Sequence, residues 1–276
     1  MVFDLVASFD NSSRPLTLIP VMDPKLCLRE DAITELIRIL DAYYVAHVRG
    51  TPTSGKSTMA RLLRDRLQDA GRKVVFVRSW PPGPRGEDYA TVLVDIAKPL
   101  LSLDPNNLGD HNDIVFIIDE AQQTYIHTNF WLEFIKERSG SRWGTKVCLF
   151  ASYGSPTTGP VDYPDNSAPV YLGISQRVGI TPSQVDTGPQ FGLFYTIDEF
   201  EDVLKRHNEY STTPLPLSAE AKLHLFHMTN GHPGAVGGLI EFLHNVLYHL
   251  AGCLAFTYDD VGAQNMHHGQ TRTAHQ

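Results

Sequence analysis

Residues Gly50 to Ser57 read GTPTSGKS, which matches the pattern GxxxxGK[ST] in full. A triphosphate needs several converging donors, and backbone N–H groups provide them only where a loop wraps closely around the phosphates, hence the glycine at each end. The preceding residues, Tyr43 to Val48, predict a strand, and Thr58 to Ala70 predict a helix whose N-terminal end points at the phosphates. This stretch therefore predicts a phosphate-binding loop, or P-loop, between a strand and a helix.

Within this loop, we expect Lys56 to reach the β- and γ-phosphates and the Ser57 hydroxyl to bind Mg²⁺, so the expected ligand is ATP with Mg²⁺. The other residues expected to contact the nucleotide are Gly50, Thr51, Pro52, Thr53, Ser54, Gly55 and Thr58. The alternative interpretation is a glycine turn with an incidental lysine. The strand before the loop and the helix after it argue against that alternative.

A second segment, Asp113 to Glu120 (DIVFIIDE), reads as a buried strand that ends in two carboxylates. Asp119 is expected to hold the magnesium ion, through water, and Glu120 to polarise an attacking water as the general base. Taken alone, acidic residues at a strand end are common, but here they follow a P-loop and one strand–helix unit. Because the chain lacks NKxD and TKxD, and because a kinase would not need Glu120, ATP hydrolysis is favoured over GTP binding or phosphate transfer.

Apolar segments with strand and helix periodicity alternate along the chain. This pattern predicts an α/β fold, a P-loop NTPase core with a parallel sheet flanked by helices, followed by a smaller C-terminal helical lid. We expect an N-terminal lead-in over 1–25, the NTPase core over 26–195, the lid over 196–258 and a disordered tail over 259–276. Among the individual elements, one long helix is predicted over Tyr89 to Leu103 and a short strand near Val178 to Thr181.

The composition narrows the choice of partners and compartment. A net charge of −8 does not favour nucleic acid, and the three widely spaced cysteines without a CxxC pair suit a reducing compartment. The N-terminus lacks the pattern of a signal peptide, and no apolar run approaches the length of a membrane span. We therefore expect an intracellular, most simply cytoplasmic, chain that does not enter a membrane, with effector-type secretion and nuclear entry left open.

Beyond these motifs, the chain from about Cys27 to Leu250 resembles the AAA+-related STAND ATPases, particularly the archaeal-type branch. Leu28-Arg29-Glu30 looks like the adenine-side GRE element of that group, which implies that Arg29 contacts the base, although Leu28 stands where glycine is usual. Cys148 to Pro156 looks like the sensor-1 strand, which implies Ser152, and in second place Ser155, beside the γ-phosphate.

The resemblance also assigns two residues further along the chain. Arg177, in SQRVGI, occupies the position from which such families present an arginine to the γ-phosphate of their own subunit or of a neighbour. Thr229 to Gly234 (TNGHPG) resembles the GxP element of the lid, in which the proline, here Pro233, packs near the nucleotide. From the residues alone, Arg177 could equally form an ion pair, Ser152 cap a strand end and Gly231 to Pro233 end a helix.

Four segments together look like the ATPase module of fungal Crinkler-type proteins, in which an NTPase stands next to an effector domain: HVRGTPTSGKST, FIIDEAQ, SYGSPTTGP and TNGHPGAV. We expect two departures from that group, since the sequence is interpreted as having no room for the usual header and no effector domain after the lid. The resemblance implies a regulatory ATPase that binds ATP and ADP and works with a protein partner or as a homo-oligomer. The expected function is thus Mg²⁺-dependent ATP hydrolysis coupled to movement between core and lid, the alternatives being a non-hydrolysing nucleotide-gated interaction module and a P-loop kinase.

Overall fold

The computed structural model describes residues 23–81, 88–152, 170, 172–211 and 214–246. A five-stranded sheet organises the first part of the chain, and its strands are β1 (Val45–Gly50), β2 (Lys73–Val77), β3 (Ile114–Ile118), β4 (Lys146–Ser152) and β5 (Arg177–Val178). The strands lie in the order β2-β3-β4-β1-β5, and all the pairings are parallel. β4 therefore lies between β1, which leads into the P-loop, and β3, which leads to Asp119.

Seven helices accompany the strands in the described part of the chain: α1 (Glu30–Tyr43), α2 (Lys56–Asp69), α3 (Tyr89–Ala97), α4 (Lys136–Ser139), α5 (Ile197–Glu209), α6 (Ala219–Thr229) and α7 (233–246). Three further short helical segments position the site or its edges: a 3-10 helix over Ala121–Ile126, a π-helix over Phe130–Ile135 that continues into α4, and a 3-10 turn over Ile174–Gln176.

The two faces of the sheet belong to two different apolar clusters. Because successive residues of a strand point to opposite faces, β1 sends Ala46 and Val48 toward α1 and α2, and Val45 toward α3 and the π-helix. The interior strand β3 lies between β2 and β4 and is buried along its whole length, which explains its uninterrupted apolar sequence IVFII. The predicted α/β fold with a parallel sheet flanked by helices is confirmed.

The C-terminal helices form a smaller cluster of their own, in which α5, α6 and α7 meet around Phe200, Leu204 and Ile240. Cys27, from the segment before α1, is buried in the same cluster. The segment before α1 therefore packs against the C-terminal helices, a contact that the sequence pattern does not indicate.

Some predicted elements end at other residues than expected. The helix expected over 89–103 stops at Ala97, because the amide groups of Leu100 and Leu101 both turn back to the Ala97 carbonyl oxygen, at 2.8 Å each. The strand expected over 178–181 is limited to Arg177 and Val178. The N-terminal lead-in up to residue 22, most of the loop that contains Ser155, and the tail 259–276 lie outside the described residues.

Candidate nucleotide-binding site

The P-loop connects the C-terminal end of β1 to the N-terminal end of α2. Gly55 has the left-handed conformation, with φ of 87°, immediately before the helix begins at Lys56. A Cβ atom on Gly50 would lie 2.4 Å from the Leu193 side chain and 2.5 Å from the Ser54 hydroxyl oxygen, so a larger residue would require these buried side chains to move. The two glycines of the motif are thus favoured for different reasons. Gly55 has a left-handed backbone conformation, and Gly50 lies very close to two neighbouring side chains.

Lys56 is buried and folded back onto its own loop. Its ammonium group donates hydrogen bonds to the carbonyl oxygens of Thr51, at 2.7 Å, and Gly50, at 3.2 Å. Burial lowers the pKa of Lys56, while the negative charges of Glu120 and then Asp119 oppose that effect. The lysine therefore lies at the loop, in the field of the two carboxylates that end β3.

Asp119 and Ser57 meet although they lie on separate elements. The Ser57 side chain lies beside the Asp119 carboxylate, which accepts the backbone N–H of Glu120 at 3.0 Å. Burial raises the pKa of Asp119, and the Ser57 hydroxyl and the Glu120 N–H act in the opposite direction. Hard oxygen donors of this kind, a hydroxyl and a carboxylate beside a P-loop, fit the preference of Mg²⁺ for oxygen ligands.

Glu120 has the left-handed conformation, with φ of 52°, and precedes the 3-10 helix. Its carboxylate accepts a short hydrogen bond from the side-chain amide of Gln122, whose oxygen in turn accepts the backbone N–H of Ser152 at 2.9 Å. The next residue, Gln123, accepts the Trp80 N–H at 2.9 Å beyond the end of β2. Neither glutamine was predicted as a site residue, although both directly follow the predicted general base in the stretch DEAQQ and the quoted segment FIIDEAQ ends at Gln122.

Ser152 is the last residue of β4 and pairs in register with Gly50, the first residue of the P-loop. This register places it at the carboxyl end of the sheet beside the loop. Its contact with Gln122 is made by the backbone N–H. Ser152 therefore lies beside the P-loop, and its backbone N–H joins β4 to the helix that follows Glu120.

Residues 231–234 pack directly on the P-loop. The backbone N–H of Gly234 donates to the Thr53 carbonyl oxygen at 3.0 Å, and a Cβ atom on Gly55 would lie 3.3 Å from the Pro233 ring. His232 caps α7 by accepting the Ala235 N–H at its Nδ1 atom, at 3.2 Å. Its Nε2 atom lies 3.4 Å from the Thr51 hydroxyl oxygen. Since Nδ1 is the acceptor, Nε2 carries the proton in neutral His232 and points at the loop.

Arg29 is buried and forms several hydrogen bonds within the protein. Its guanidinium pairs with Glu199 at 3.0 Å and donates to the carbonyl oxygens of Leu193, at 2.9 Å, and Gly192, at 2.8 Å. It thereby holds the segment over 192–194 against the start of α1. That segment and Tyr195 form one wall of a groove of about 600 Å³ that also reaches Phe226 of α6.

Arg177 lies away from the P-loop of its own chain. Its backbone pairs with His47, three residues before Gly50, which corresponds to roughly 10 Å along the strand. Directly paired residues of parallel strands point to the same face, and His47 contacts Tyr125 and Trp131 on the face opposite α2. There Arg177 and Arg49 line a cavity of about 190 Å³.

The predicted site residues thus divide into two groups. The P-loop lies at the carboxyl end of the sheet together with four other predicted residues: Asp119, Glu120, Ser152 and Pro233. Arg29 is instead buried at the rim of the groove, and Arg177 faces the side of the sheet opposite α2. Among the described residues, no helix is long and apolar enough to span a membrane.

Comparisons with known proteins find similarity in overall structure only. No family model matches the sequence, and no curated protein matches it. Among solved structures, a Walker-type ATPase of Pyrococcus abyssi is similar over 86% of this chain and 75% of its own, with 18% identity and a TM-score of 0.48. A point mutant of RuvB from Thermotoga maritima is similar over 81% of this chain and 64% of its own, less than two thirds, with 16% identity and a TM-score of 0.45.

Proposed function

We propose that this chain binds ATP with Mg²⁺ and hydrolyses it, as a regulatory ATPase module whose helical subdomain responds to the nucleotide. The observation that carries the proposal is the convergence of Lys56, Ser57, Asp119 and Glu120 at one loop, from two elements far apart in sequence. A P-loop with a buried lysine supplies the charge and the amide donors that a triphosphate requires. The resemblance of the motifs to STAND and Crinkler-type ATPases supports the same proposal.

Each residue has a distinct part in this proposal. Lys56 leaves its hydrogen bonds to the loop carbonyls and binds the β- and γ-phosphates, and the loop amides hold the phosphates in place. Ser57 and Asp119 hold Mg²⁺, which offsets phosphate charge when it is bound. Glu120 accepts a proton from the attacking water. Ser152 stays a candidate for contact with the γ-phosphate because β4 ends beside the P-loop.

The groove bordered by Arg29 is the proposed site of the adenine base. Leu193 lies against Gly50, and its neighbours Gly192 and Phe194 line the groove, so one short segment contacts both the start of the P-loop and the groove. Because the Arg29 guanidinium is bound to Glu199 and to backbone carbonyl groups, we assign it the role of holding the groove wall. Pro233 borders the phosphate end of the same region through its contact with Gly55.

Coupling to the helical subdomain follows from the contacts between residues 231–234 and the P-loop. A phosphate that moves the loop backbone at Thr53 also moves the acceptor of the Gly234 N–H, which lies in the first turn of α7. The same contacts favour the second candidate function, a switch that binds nucleotide without turnover and signals through α7.

Two substitutions test the proposed function. Lys56→Ala is expected to abolish binding of Mg-ATP in calorimetry, with Lys205→Ala as the control, since Lys205 is 72% exposed. Glu120→Gln is expected to keep ATP binding and to lower multiple-turnover phosphate release by about 100-fold or more, the usual contribution of a general base. Turnover of Glu120→Gln at the parental rate would remove the base assignment.

Three further outcomes separate the alternatives. Absence of heat with Mg-ATP, Mg-ADP and Mg-GTP for folded protein would overturn nucleotide binding altogether. Binding without multiple turnover would favour the non-hydrolysing switch. A rise in ADP release on addition of a phosphate acceptor, retained in Glu120→Gln, would favour a kinase.

Arg177 is proposed to act on the nucleotide of a neighbouring copy, because its backbone lies roughly 10 Å along the strand from the P-loop of its own chain and its side chain is on the face opposite α2. Mixing tests this directly. Arg177→Ala and Glu120→Gln proteins are each expected to be inactive alone and to regain part of the activity when mixed, since a mixed interface combines an intact Glu120 with an intact Arg177. Inactive mixtures that nevertheless assemble, as measured by solution mass with ATP, would argue against action across an interface.

A further inference from the structure

Gln122 stands between the proposed general base and the neighbouring strand. It is the second residue of the 3-10 helix Ala121–Ile126, two residues after Glu120. Its amide nitrogen donates to a carboxylate oxygen of Glu120, and its amide oxygen accepts the backbone N–H of Ser152 at 2.9 Å. A carboxylate can only accept here and a backbone N–H can only donate, so the two contacts together determine which end of the amide faces which partner.

The carboxylate held in this way lies near the P-loop. Gln122, to which it is bound, accepts the Ser152 N–H, and Ser152 pairs in register with Gly50, the first residue of that loop. The backbone of Glu120 is fixed in the left-handed conformation, with φ of 52°, and its N–H is bound to Asp119 at 3.0 Å. The main chain at Glu120 is therefore fixed independently of Gln122, and the Gln122 amide restrains the end of the side chain.

We propose that Gln122 is the positioning residue for Glu120, holding its carboxylate toward the P-loop and linking its placement to the end of β4 at Ser152. This proposal rests on the proposed function, because it requires Glu120 to act as the base. If the Glu120 carboxylate can rotate away, it spends less time within reach of the attacking water. The contribution of Glu120 to the rate of hydrolysis then falls, although the nucleotide still binds. The link to β4 also means that a shift of Ser152 on nucleotide binding is passed directly to the base.

Gln123 offers a matched control within the same 3-10 helix. Its side-chain oxygen accepts the Trp80 N–H and the Ser79 hydroxyl, each at 2.9 Å, and so ties the helix to the end of β2. The two glutamines are adjacent, carry the same side chain and each join the helix to a neighbouring strand end. They differ in that Gln122 holds the Glu120 carboxylate.

The experiment compares Gln122→Met with Gln123→Met, since methionine keeps the approximate length and volume of glutamine without its hydrogen bonds. We expect Gln122→Met to lower kcat by about 10- to 100-fold with KM and the affinity for Mg-ADP unchanged, the effect of a misplaced catalytic group. Gln123→Met is expected to lower the melting temperature and to leave kcat within about twofold, since its contacts are structural.

Two additional variants separate positioning of the base from support of the fold. Gln122→Glu keeps an acceptor for the Ser152 N–H but sets a carboxylate against the Glu120 carboxylate, so its kcat is expected to be no higher than that of Gln122→Met. In the Glu120→Gln background, Gln122→Met is expected to cause no further loss of the residual single-turnover rate, because a residue that acts through Glu120 has nothing left to position.

The outcomes distinguish this proposal from the proposed function. Parental kcat in Gln122→Met, or a kcat higher than the parental value, would overturn the positioning role while leaving ATP hydrolysis intact. A full additional loss in the Glu120→Gln background would also overturn it, because Gln122 would then act independently of Glu120. A parental protein that binds Mg-ATP but shows no turnover sensitive to Glu120→Gln would overturn both.

Discussion

The side chain of Ser57, in the first turn of α2, lies beside the carboxylate of Asp119, just beyond the end of β3. β4 lies between β1 and β3 in the sheet, so this contact crosses above the end of a strand. The Asp119 N–H donates a hydrogen bond to the Val77 carbonyl oxygen at 2.8 Å, directly after the last pair between β2 and β3. The two proposed magnesium ligands are therefore brought together by the sheet before any ion is bound.

Asp119→Asn is expected to raise the thermal stability of the protein and to remove the dependence of ATP binding on Mg²⁺. Burial raises the pKa of Asp119 above its ordinary value of 3.8, so the folded state favours the protonated carboxyl, and that stabilisation is lost as the pH rises through the raised pKa. The neutral asparagine avoids this loss, so the variant should have a higher melting temperature than the parent at pH 7 in EDTA, with a smaller difference near pH 4. Its ATP affinity should no longer depend on Mg²⁺. A variant that melts lower than the parent at pH 7 would contradict the sign of this effect.

Gly231→Ala should weaken the junction between the core and the helical subdomain. Gly231 has φ of 69°, and a Cβ atom there would lie 2.2 Å from the Tyr195 carbonyl oxygen. We expect a loss of about 1 to 3 kcal/mol in the free energy of unfolding, measured by urea titration. Gly237→Ala is the control, because nothing lies within 4 Å of its Cβ position inside α7, and it should instead gain about 1 kcal/mol. Equal stability of the two variants would refute the argument.

Arg29→Met should destabilise the protein strongly, because it leaves the Glu199 carboxylate, whose side chain is 18% exposed, without its partner. Breaking a buried ion pair in this way costs about 3 to 5 kcal/mol. Arg29→Lys should restore only part of the loss, since a lysine cannot reproduce the bonds to Leu193 and Gly192 as well. Arg38→Ala, which breaks a pair with Glu35 at a side chain 63% exposed, should change stability by about 0.5 kcal/mol or less. Thermal unfolding of the three variants would rank these losses, and an Arg29→Met protein as stable as Arg38→Ala would contradict the structure.

His47 should make stability depend on pH. Burial, and then the charges of Arg49 and Arg177, lower the pKa of His47 from 6.5 to about 3. The contribution of His47 to the free energy of unfolding is therefore fully present above pH 6.5 and is lost as the pH falls toward 3. In that range, the slope of the free energy of unfolding against pH approaches about 1.4 kcal/mol per pH unit. His47→Gln, which keeps a polar group near the Tyr125 hydroxyl, should show a shallower slope between pH 6.5 and 5 in urea titrations. A slope in His47→Gln as steep as that of the parent would contradict this prediction.

The local parts of the site could be predicted because they depend on neighbours in sequence. The P-loop needs glycines, a lysine and a hydroxyl within eight residues, and β3 needs an unbroken apolar run before its two carboxylates. These requirements concern the backbone and the burial of a single segment, so the pattern of residues indicates them directly. The helix expected over 89–103 was too long for a related reason, since apolar residues continue past Ala97 although the chain turns there.

The amino-acid sequence by itself thus determined the class of the fold, the loop between a strand and a helix that carries Lys56, and the segment that carries the two carboxylates. Only the tertiary structure decided that β4 separates β1 from β3, that Gln122 joins Glu120 to Ser152, that Arg29 is bound to Glu199, and that Arg177 faces the side of the sheet opposite α2. The physical reason is that hydrophobic periodicity specifies which face of an element is buried, whereas the identity of the neighbour depends on strand order and register. Polar side chains such as Gln122 and Arg29 acquire their partners only once residues distant in sequence have been placed beside them.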